Sequence, residues 1–507
     1  MKQPMSPRTS GLLGVLAVGA GLASTQLVGS IFRGVNDPMI SIGNRIIDNV
    51  PPVVKEFAIR AFGLADKLVL VMSISAVILL LALIIGRLFF LGRQKAAKII
   101  IAVMTLTACA ASFFDANATI ISLLPSLAAG LTTIWVLNIL EKQSGQLGSQ
   151  EYDLGRRNLM RAVGLISAAS AGAVFAGNYV RAQATQQFEK LNLVLPKALK
   201  PLPPAPIDPA LVTPGLSKLF TPNNSFYRID TALVVPVVDL STWRLTIDGM
   251  VGNPLEFSYS ELISRPIFEL DNTISCVSNE VGGPLVGNAR WVGIRLDDLI
   301  NEAKPDRSAD QIMGYSVDGF TAGFPTTSLD GRDAMLAFGM NGELLPPEHG
   351  FPARIIVPGL YGYVSATKWL TRIELTRFDK AQGYWIPRGW STLAPIKTAA
   401  RIDTPANRSS VKTGKQVIAG VAWAPMSGIS KVEVSVNDGP WQLATLGPKL
   451  ANITWQQWWL DWDATAGDAV ISARATNGDG QLQSSEIVPV APNGAEGWHT
   501  IGLSVSS

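Results

Sequence analysis

Cysteine and histidine are nearly absent, with two of each in 507 residues. Cys109 lies in an apolar run, IIIAVMTLTACAASFF, and Cys276 in a soluble segment, SCVSNEVGGPLVGNARW, so the two are not placed to bridge each other. A disulfide, the usual reason for cysteine in an exported domain, is thereby excluded. What remains for Cys276 is inert burial, nucleophilic chemistry or a thiolate bond to a metal. Gly282 and Gly283 follow it, and both allow backbone to approach a neighbour closely. The two histidines, His349 and His499, fall in the C-terminal half. A b-type haem with two axial histidines therefore has no place in the first 348 residues, and there is no Cys-x-x-Cys-His site for a c-type haem. Charge is scarce as well: 16% of residues are charged, the net charge is +3 and no basic block occurs. That excludes nucleic acid as a partner.

Apolar sequence is abundant, with a mean hydropathy of +0.26. Five apolar runs, at about 11–31, 68–91, 97–114, 118–140 and 159–180, fill the first third of the chain. The second is long and uncharged enough to span a bilayer, and the Gly, Ala and Ser of the first and fifth suit close helix packing in lipid. Arg87, Arg93, Lys95 and Lys98 crowd the connection between runs two and three, and Arg156, Arg157 and Arg161 precede run five. The positive-inside rule then places the N-terminus inside and everything after about residue 180 outside, as a multi-pass membrane protein with an extracytoplasmic soluble part. The stretch 32–67 has mixed charge and reads as an amphipathic surface helix. GRRNLMRAVGLISAASAG has the form of a twin-arginine export signal, and ordinary flanking charge is the alternative.

Residues 1–185 are accordingly read as a helical membrane domain and 186–215 as a proline-rich, semi-rigid extended spacer. Residues 216–395 mix strands such as WRLTIDGMV with short helices such as YSELISRP and RLDDLINEA, an α+β pattern. ARIIVPGLYGYVSATKWLTRIEL reads as strand, glycine-bounded loop, strand. From 396 to 507 short strands recur between turns (QVIAGVAW, KVEVSVNDG, WQLATLG, ITWQQWWLDW, AVISARATN), which predicts an immunoglobulin-like β-sandwich. Its tryptophans, Trp423, Trp441, Trp455, Trp458, Trp459 and Trp462, are read as core and inter-domain packing.

Three segments carry a family likeness: TPNNSFYRID (221–230), SCVSNEVGG (275–283) and EHGFPARIIVPGLYGYVSATKWL (348–370). In this order, followed by a sandwich, they resemble the sulfite oxidase family of molybdopterin enzymes. The resemblance implies a molybdenum-molybdopterin cofactor with Cys276 as the metal's protein ligand. It implies cofactor contacts from Asn224, Tyr227, Arg228, His349, Arg354, Ser365, Thr367 and Lys368. Arg and Lys suit the phosphate end of such a cofactor, and His349 and Asn224 its polar heterocycle. A structural ion pair for Arg354 and a core position for His349 are the alternatives. The catalytic set implied is Cys276, Arg228, Asn279 and Arg290, with Trp291 lining the pocket or simply packing. The chain departs from the family where paired arginines follow Asn279, because Glu280 and Val281 stand there instead. Where many members carry an active-site tyrosine, DGFTAGFP offers Phe320. A carboxylate near the metal disfavours a small dianion such as sulfite.

Oxygen-atom transfer on a small or sulfur-containing substrate is the activity implied. A sulfoxide reductase drawing electrons from the membrane uses the same site in reverse. A binding or scaffold protein that kept the fold without the metal is the alternative of another class. The electron partner is then a separate cytochrome or quinone system, and a homodimer through the sandwich is one arrangement open to the chain.

Overall fold

The computed structural model describes residues 6–32, 35–51, 66–115, 118–144, 152–190 and 193–507, with isolated positions between 54 and 62. The chain forms two compact units, residues 1–192 with 231–237, and residues 193–230 with 238–507.

The first unit is helical: α1 Pro7–Ile31, α2 Pro38–Asn49, α3 Asp66–Phe90, α4 Gln94–Phe113, α5 Leu124–Ser144 and α6 Tyr152–Lys190. Among the described residues five helices are long and apolar enough to cross a membrane: Pro7–Ile31, Lys67–Phe90, Gln94–Phe113, Ile120–Ser144 and Arg157–Tyr179. Glycine lets α1 and α3 touch along their backbones. A Cβ on Gly14 would stand 2.2 Å from the Ala82 carbonyl oxygen, and one on Gly86 2.2 Å from that of Ser10, the close approach that small residues permit in lipid. The expected amphipathic helix in 32–67 is α2, capped by the Asp37 carboxylate, which accepts from the Met39 N–H. Most of 52–65 and the side chain of Arg156 lie outside the described residues. The chain returns to this unit at 231–237, where the Lys67 ammonium donates to the Ala232 carbonyl at 2.6 Å.

The second unit opens with two sheets. Strands β1 Arg244–Gly249 and β2 Leu255–Ser258 are followed by the short helix α7 Tyr259–Ile263, then β3 Phe268–Ser275 and β4 Val286–Arg295. Helix α8 Leu296–Glu302 leads to β5 Gln311–Ser316, β6 Thr321–Pro325, β7 Met335–Met340, β8 Glu343–Leu344 and β9 Arg354–Ile356. Helix α9 Gly362–Ser365 and β10 Leu370–Thr376 complete the α+β part. One sheet has the order β2-β1-β10-β5-β6, the other β3-β4-β7-β8 with β9 also paired to β7. A shared core of Leu245, Ile247, Val292, Ile294, Leu336, Phe338, Ile355 and Ile373 lies between them, as expected where two sheets each bury one face.

Residues 399–506 form two packed sheets. The first is β11 Ala399–Thr404, β13 Gly414–Trp423, β17 Gln456–Ala464 and β16 Thr445–Leu446. The second is β12 Ser410–Lys412, β19 His499–Ser506, β18 Gly467–Asn477, β14 Ile429–Val436 and β15 Gln442–Leu443. Ile418, Val432, Val434, Trp458 and Ile471 are fully buried between them. Trp455 ties this sandwich to the α+β part, since its N–H donates to the Thr273 hydroxyl at 2.7 Å and its indole N–H to the Leu219 carbonyl at 2.9 Å.

The proline-rich stretch is not a free spacer. Leu193, Leu195 and Ala198 pack on the α+β core. The Leu199 N–H donates to the Ile267 carbonyl at 3.0 Å and the Leu202 N–H to the Glu269 carboxylate at 2.7 Å, both at the open edge beside β3. An edge strand needs such a cover, and this strap supplies it.

Candidate active site

Strand β3 delivers Cys276 at its end. The Cys276 N–H donates to the Leu285 carbonyl at 2.9 Å, and the Leu285 N–H donates to the Asn279 side-chain oxygen at 2.7 Å. Asn279, expected to act on substrate, thus closes the loop that presents the cysteine. Cys276 is buried, and burial raises its thiol pKa against the opposing hydrogen bonds of Ser278. It is neutral until a cation holds the thiolate.

The sandwich holds this loop from the other side. Gly282 has φ +77°, and a Cβ there would meet the His499 ring carbon Cδ2 at 2.1 Å. The His499 Nδ1 accepts from the Ile402 N–H at 2.9 Å, and burial beside Arg401 lowers its pKa. Arg401 donates to the Gly283 carbonyl at 3.0 Å and to the Ser217 hydroxyl at 2.8 Å, and it pairs with Asp403 at 2.6 Å. Gly282→Ala is therefore expected to cost about 1–3 kcal/mol through overpacking, with added strain at positive φ. A thermal denaturation midpoint several degrees below wild type checks this.

Segment 221–230 enters through the turn Asn223–Ser225. Phe226 is buried edge-on to Trp291 (6.0 Å between centroids) and His349 (5.7 Å), and stacks on Tyr227 at 5.3 Å. The His349 Nε2 lies 2.8 Å from the Asn223 carbonyl, so that nitrogen carries the proton. Burial lowers its pKa and keeps the ring neutral. Asn224 is exposed, with its side-chain oxygen accepting from Ser225. Its neighbour Asn223 bonds the Met340 carbonyl, Glu343 and Asn341, a role the sequence did not reveal.

Arg354 sits on β9, buried over the Trp291 ring at 5.2 Å. Its Nη1 donates to the His349 carbonyl at 3.0 Å, while its buried Nε has no hydrogen-bond partner. Burial drives its pKa from 12.5 to about 10, partly offset by Tyr227. No carboxylate pairs with it among the described residues, which sets aside the ion-pair alternative. Nearby, the Lys368 ammonium reaches Asp230 at 2.9 Å and the Glu348 carbonyl at 3.2 Å. Arg228 shares the same carboxylate at 2.7 Å. Burial, then repulsion from Arg354 and Arg228, brings the Lys368 pKa to about 8, with Asp230 opposing. Two cations thus share one buried carboxylate while the buried Arg354 has none, and a surplus of this kind calls for an anion.

Tyr227 lies within electrostatic reach of Cys276 and Arg354. Burial and then the cysteine push its phenol well above 10, while Arg354 opposes. Tyr361, within the third motif but passed over in the sequence, also feels Cys276. Burial takes it to about 12, and its hydroxyl accepts from the Lys397 N–H at 3.3 Å. Both phenols stay protonated in the physiological range. Phe320, offered in place of a tyrosine, lies instead at the β5–β6 turn against Tyr384, 5.8 Å between centroids.

Arg290 is a second correction. Its guanidinium donates two hydrogen bonds to the Asp271 carboxylate, at 2.7 and 2.8 Å. The reason is strand alternation: Arg290 and Trp291 are successive on β4 and face opposite ways, and Trp291 takes the side of Phe226 and Arg354. The Ser365 hydroxyl donates to the Tyr361 and Leu360 carbonyls within its own turn. Thr367 is buried, and its carbonyl accepts from the Ile355 N–H at 3.1 Å. Glu280 is exposed on the cysteine loop.

Among the described residues no group of three or more His, Cys, Asp or Glu could hold a metal ion. A metal at Cys276 must therefore bring most of its ligands with a cofactor. The sequence profile described as the oxidoreductase molybdopterin binding domain matches residues 232–385. The uncharacterized oxidoreductase YuiH of Bacillus subtilis (strain 168) is 32% identical over 166 residues, which are 33% of this chain and 81% of that protein. The chain belongs to the sulfite-oxidase-like molybdopterin oxidoreductases. Sulfite-oxidase-like relatives include sulfite oxidase of Gallus gallus, 26% identical over 54% of this chain and 70% of that enzyme. The mitochondrial sulfite oxidase of Homo sapiens is 27% identical over 56% of this chain and 62% of its own length. The sulfane dehydrogenase SoxCD of Paracoccus pantotrophus shares the fold, with TM-score 0.50 and 22% identity over 62% of this chain and 88% of that one. This sulfite-oxidase-like chain is an oxidoreductase, and its family implies a molybdenum cofactor.

The residues fit that group. The orphaned Arg354 Nε and the cation surplus suit a phosphate, and the buried thiol suits a metal. Because Lys368 loses its charge above about pH 8, cofactor affinity of the empty protein is expected to fall as pH rises through 8. An anion raises the lysine pKa when bound, so binding takes up a proton there and weakens with pH. Titration of cofactor-free protein with the pterin at pH 6.5 and pH 9 measures it.

Proposed function

We propose that the protein is a membrane-anchored, extracytoplasmic molybdenum-molybdopterin oxidoreductase acting on a small sulfur-containing substrate. The observation that carries this reading is the buried, unpaired Arg354 beside the cysteine–tyrosine cluster. The division proposed is a membrane domain to about 185, a strap to 215, a cofactor domain to 395 and an immunoglobulin-like sandwich beyond. When bound, the molybdenum centre supplies two-electron exchange coupled to oxygen-atom transfer.

The chain's own residues do the rest. Cys276 holds the metal, and Arg354 with Lys368 and Arg228 grips the phosphate end. His349, neutral, fixes the 223–227 segment that leads to Tyr227. Tyr227 and Tyr361 keep their protons and would be the O–H donors available to orient a substrate near Cys276. Glu280, in place of a family arginine, favours an uncharged substrate over a dianion. Electrons leave or enter one at a time through a separate cytochrome or quinone system, because no histidine precedes His349. No haem is assigned to this chain.

Purified full-length protein assayed with sulfite and an electron-accepting dye, and with a sulfoxide and a reduced dye, tests the reading. Turnover of the sulfoxide in preference to sulfite is the expected result, and molybdenum-loaded protein active on neither refutes it. Sidedness has its own test. A reporter fused after residue 200 is expected to work only outside the cytoplasm, and one fused within 92–97 only inside. The reverse pattern would invert the charge argument. Arg156 and Arg157 are assigned to export of the cofactor-loaded domain.

A further inference from the structure

The strap that covers β3 has an outer face that is exposed among the described residues. Its inner side chains, Leu193 and Leu195, pack on the core, while Val194, Leu199, Ile207, Leu211 and Val212 stand 75–85% exposed. Six large apolar residues are exposed in 193–230, whereas seven are spread over the whole of 238–507. A concentration of this kind marks an interaction surface.

We infer that this face of the strap rests on the surface of an anionic lipid bilayer. The inference relies on the reading of the five apolar helices as membrane spans. Three observations name the occupant. The strap is continuous in the chain with α6, whose residues Arg157–Tyr179 are long and apolar enough to cross a membrane, and the chain belongs to the helical unit again from 231. Its exposed charges are cationic: Lys197 and Lys200 are exposed, as is Lys218 just beyond it. The two carboxylates of 193–230 are engaged, Asp208 by the Leu219 and Ala210 N–H groups and Gln457, and Asp230 by Arg228 and Lys368. Apolar side chains interleaved with lysines are the composition that settles at a headgroup boundary. Finally, prolines at 196, 201, 203, 204 and 206 remove backbone donors that a lipid face would leave unsatisfied.

The consequence is orientation. The strap is hydrogen-bonded to the segment that runs through β3 into Cys276, so its seating on lipid would hold the cofactor domain in a fixed attitude to the membrane, where a lipid-soluble or membrane-bound electron partner meets it.

Spin labels test this in the full-length protein reconstituted in nanodiscs containing phosphatidylglycerol. Leu199→Cys, Ile207→Cys, Leu211→Cys and Val212→Cys are made singly in a Cys109→Ser background, and the background protein corrects for the buried Cys276. Leu443→Cys, on the sandwich, is the aqueous control, and Leu79→Cys, on α3, is the lipid control. The expected result is a severalfold higher ratio of oxygen to nickel-chelate collisions at the strap positions than at 443. That excess should shrink in Lys197→Glu/Lys200→Glu/Lys218→Glu protein or in uncharged lipid. Water-like ratios at the strap with a lipid signature at 79 overturn the inference and leave the spans intact. Absence of a lipid signature at 79 removes the membrane reading itself. Strap labels shielded from both reagents would show a protein partner or a second copy, which also overturns it.

Discussion

Cys276→Ser is expected to leave the protein folded and still holding its cofactor, yet lower turnover by at least about 100-fold. Even outer-shell partners of metal ligands cost 10–100-fold when removed, and Cys276 is assigned as a direct ligand. Retention of the cofactor follows because Arg354, Lys368 and Arg228 grip its anionic end independently of the sulfur. The loop itself should survive, since its closing bonds come from the Cys276 N–H and from Asn279, not from the thiol. An altered molybdenum spectrum with unchanged molybdenum content is the accompanying signature. Cys109→Ser should be silent, because the Cys109 sulfur makes only weak contacts, to the Leu123 carbonyl at 4.0 Å and to Ser126, that a hydroxyl can keep. Wild-type turnover in the Cys276 variant would sink the assignment.

Arg354→Met is expected to produce the opposite separation. Charge-assisted hydrogen bonds contribute about 1.5–3 kcal/mol each, so losing the guanidinium should weaken cofactor binding by roughly 10- to 100-fold or more. The empty fold, by contrast, should hold or gain stability. Depression of the Arg354 pKa from 12.5 to about 10 corresponds to a folding cost on the order of 3 kcal/mol. The sign is that of a buried cation: the cost is present at every pH below 10, and it is relieved when the charge is deleted or an anion arrives. Molybdenum content by elemental analysis, together with the denaturation midpoint of cofactor-free protein, reads both halves. A variant that keeps its molybdenum but unfolds at lower temperature would make Arg354 a structural residue.

The sequence was most legible where function forces residues against their ordinary preferences. A lone thiol that no partner can bridge marked Cys276, whereas His349 and Arg354 were named only through the resemblance of the segment 348–370 to the family. The paired glycines after the cysteine marked a close approach, and the structure supplies its partners in His499 and Arg401. Neither partner was nameable beforehand, because His499 starts a strand 217 positions after Gly282 and strand pairing over such separation leaves no local trace. Arg290 is turned away for a reason the pattern held: neighbours on one strand face opposite ways, and Trp291 takes the side of Phe226 and Arg354. Asn279 was taken for a substrate contact because proximity in sequence to a ligand does not distinguish a side chain that builds the loop from one that uses it. The strap failed for another reason. Proline-rich sequence announces extended backbone, but whether that backbone hangs free or lies along an open strand edge depends on what the edge offers, here the Ile267 carbonyl and the Glu269 carboxylate.

The central claim is that the cluster around Cys276 and Arg354 is a working molybdenum-pterin site. Quantifying molybdenum and released pterin in the full-length protein, purified from membranes of cells able to make the cofactor, tests it most directly. Equimolar molybdenum, pterin and protein is the result this account expects. Folded protein carrying neither would contradict it, and would leave the chain as a scaffold that kept the fold.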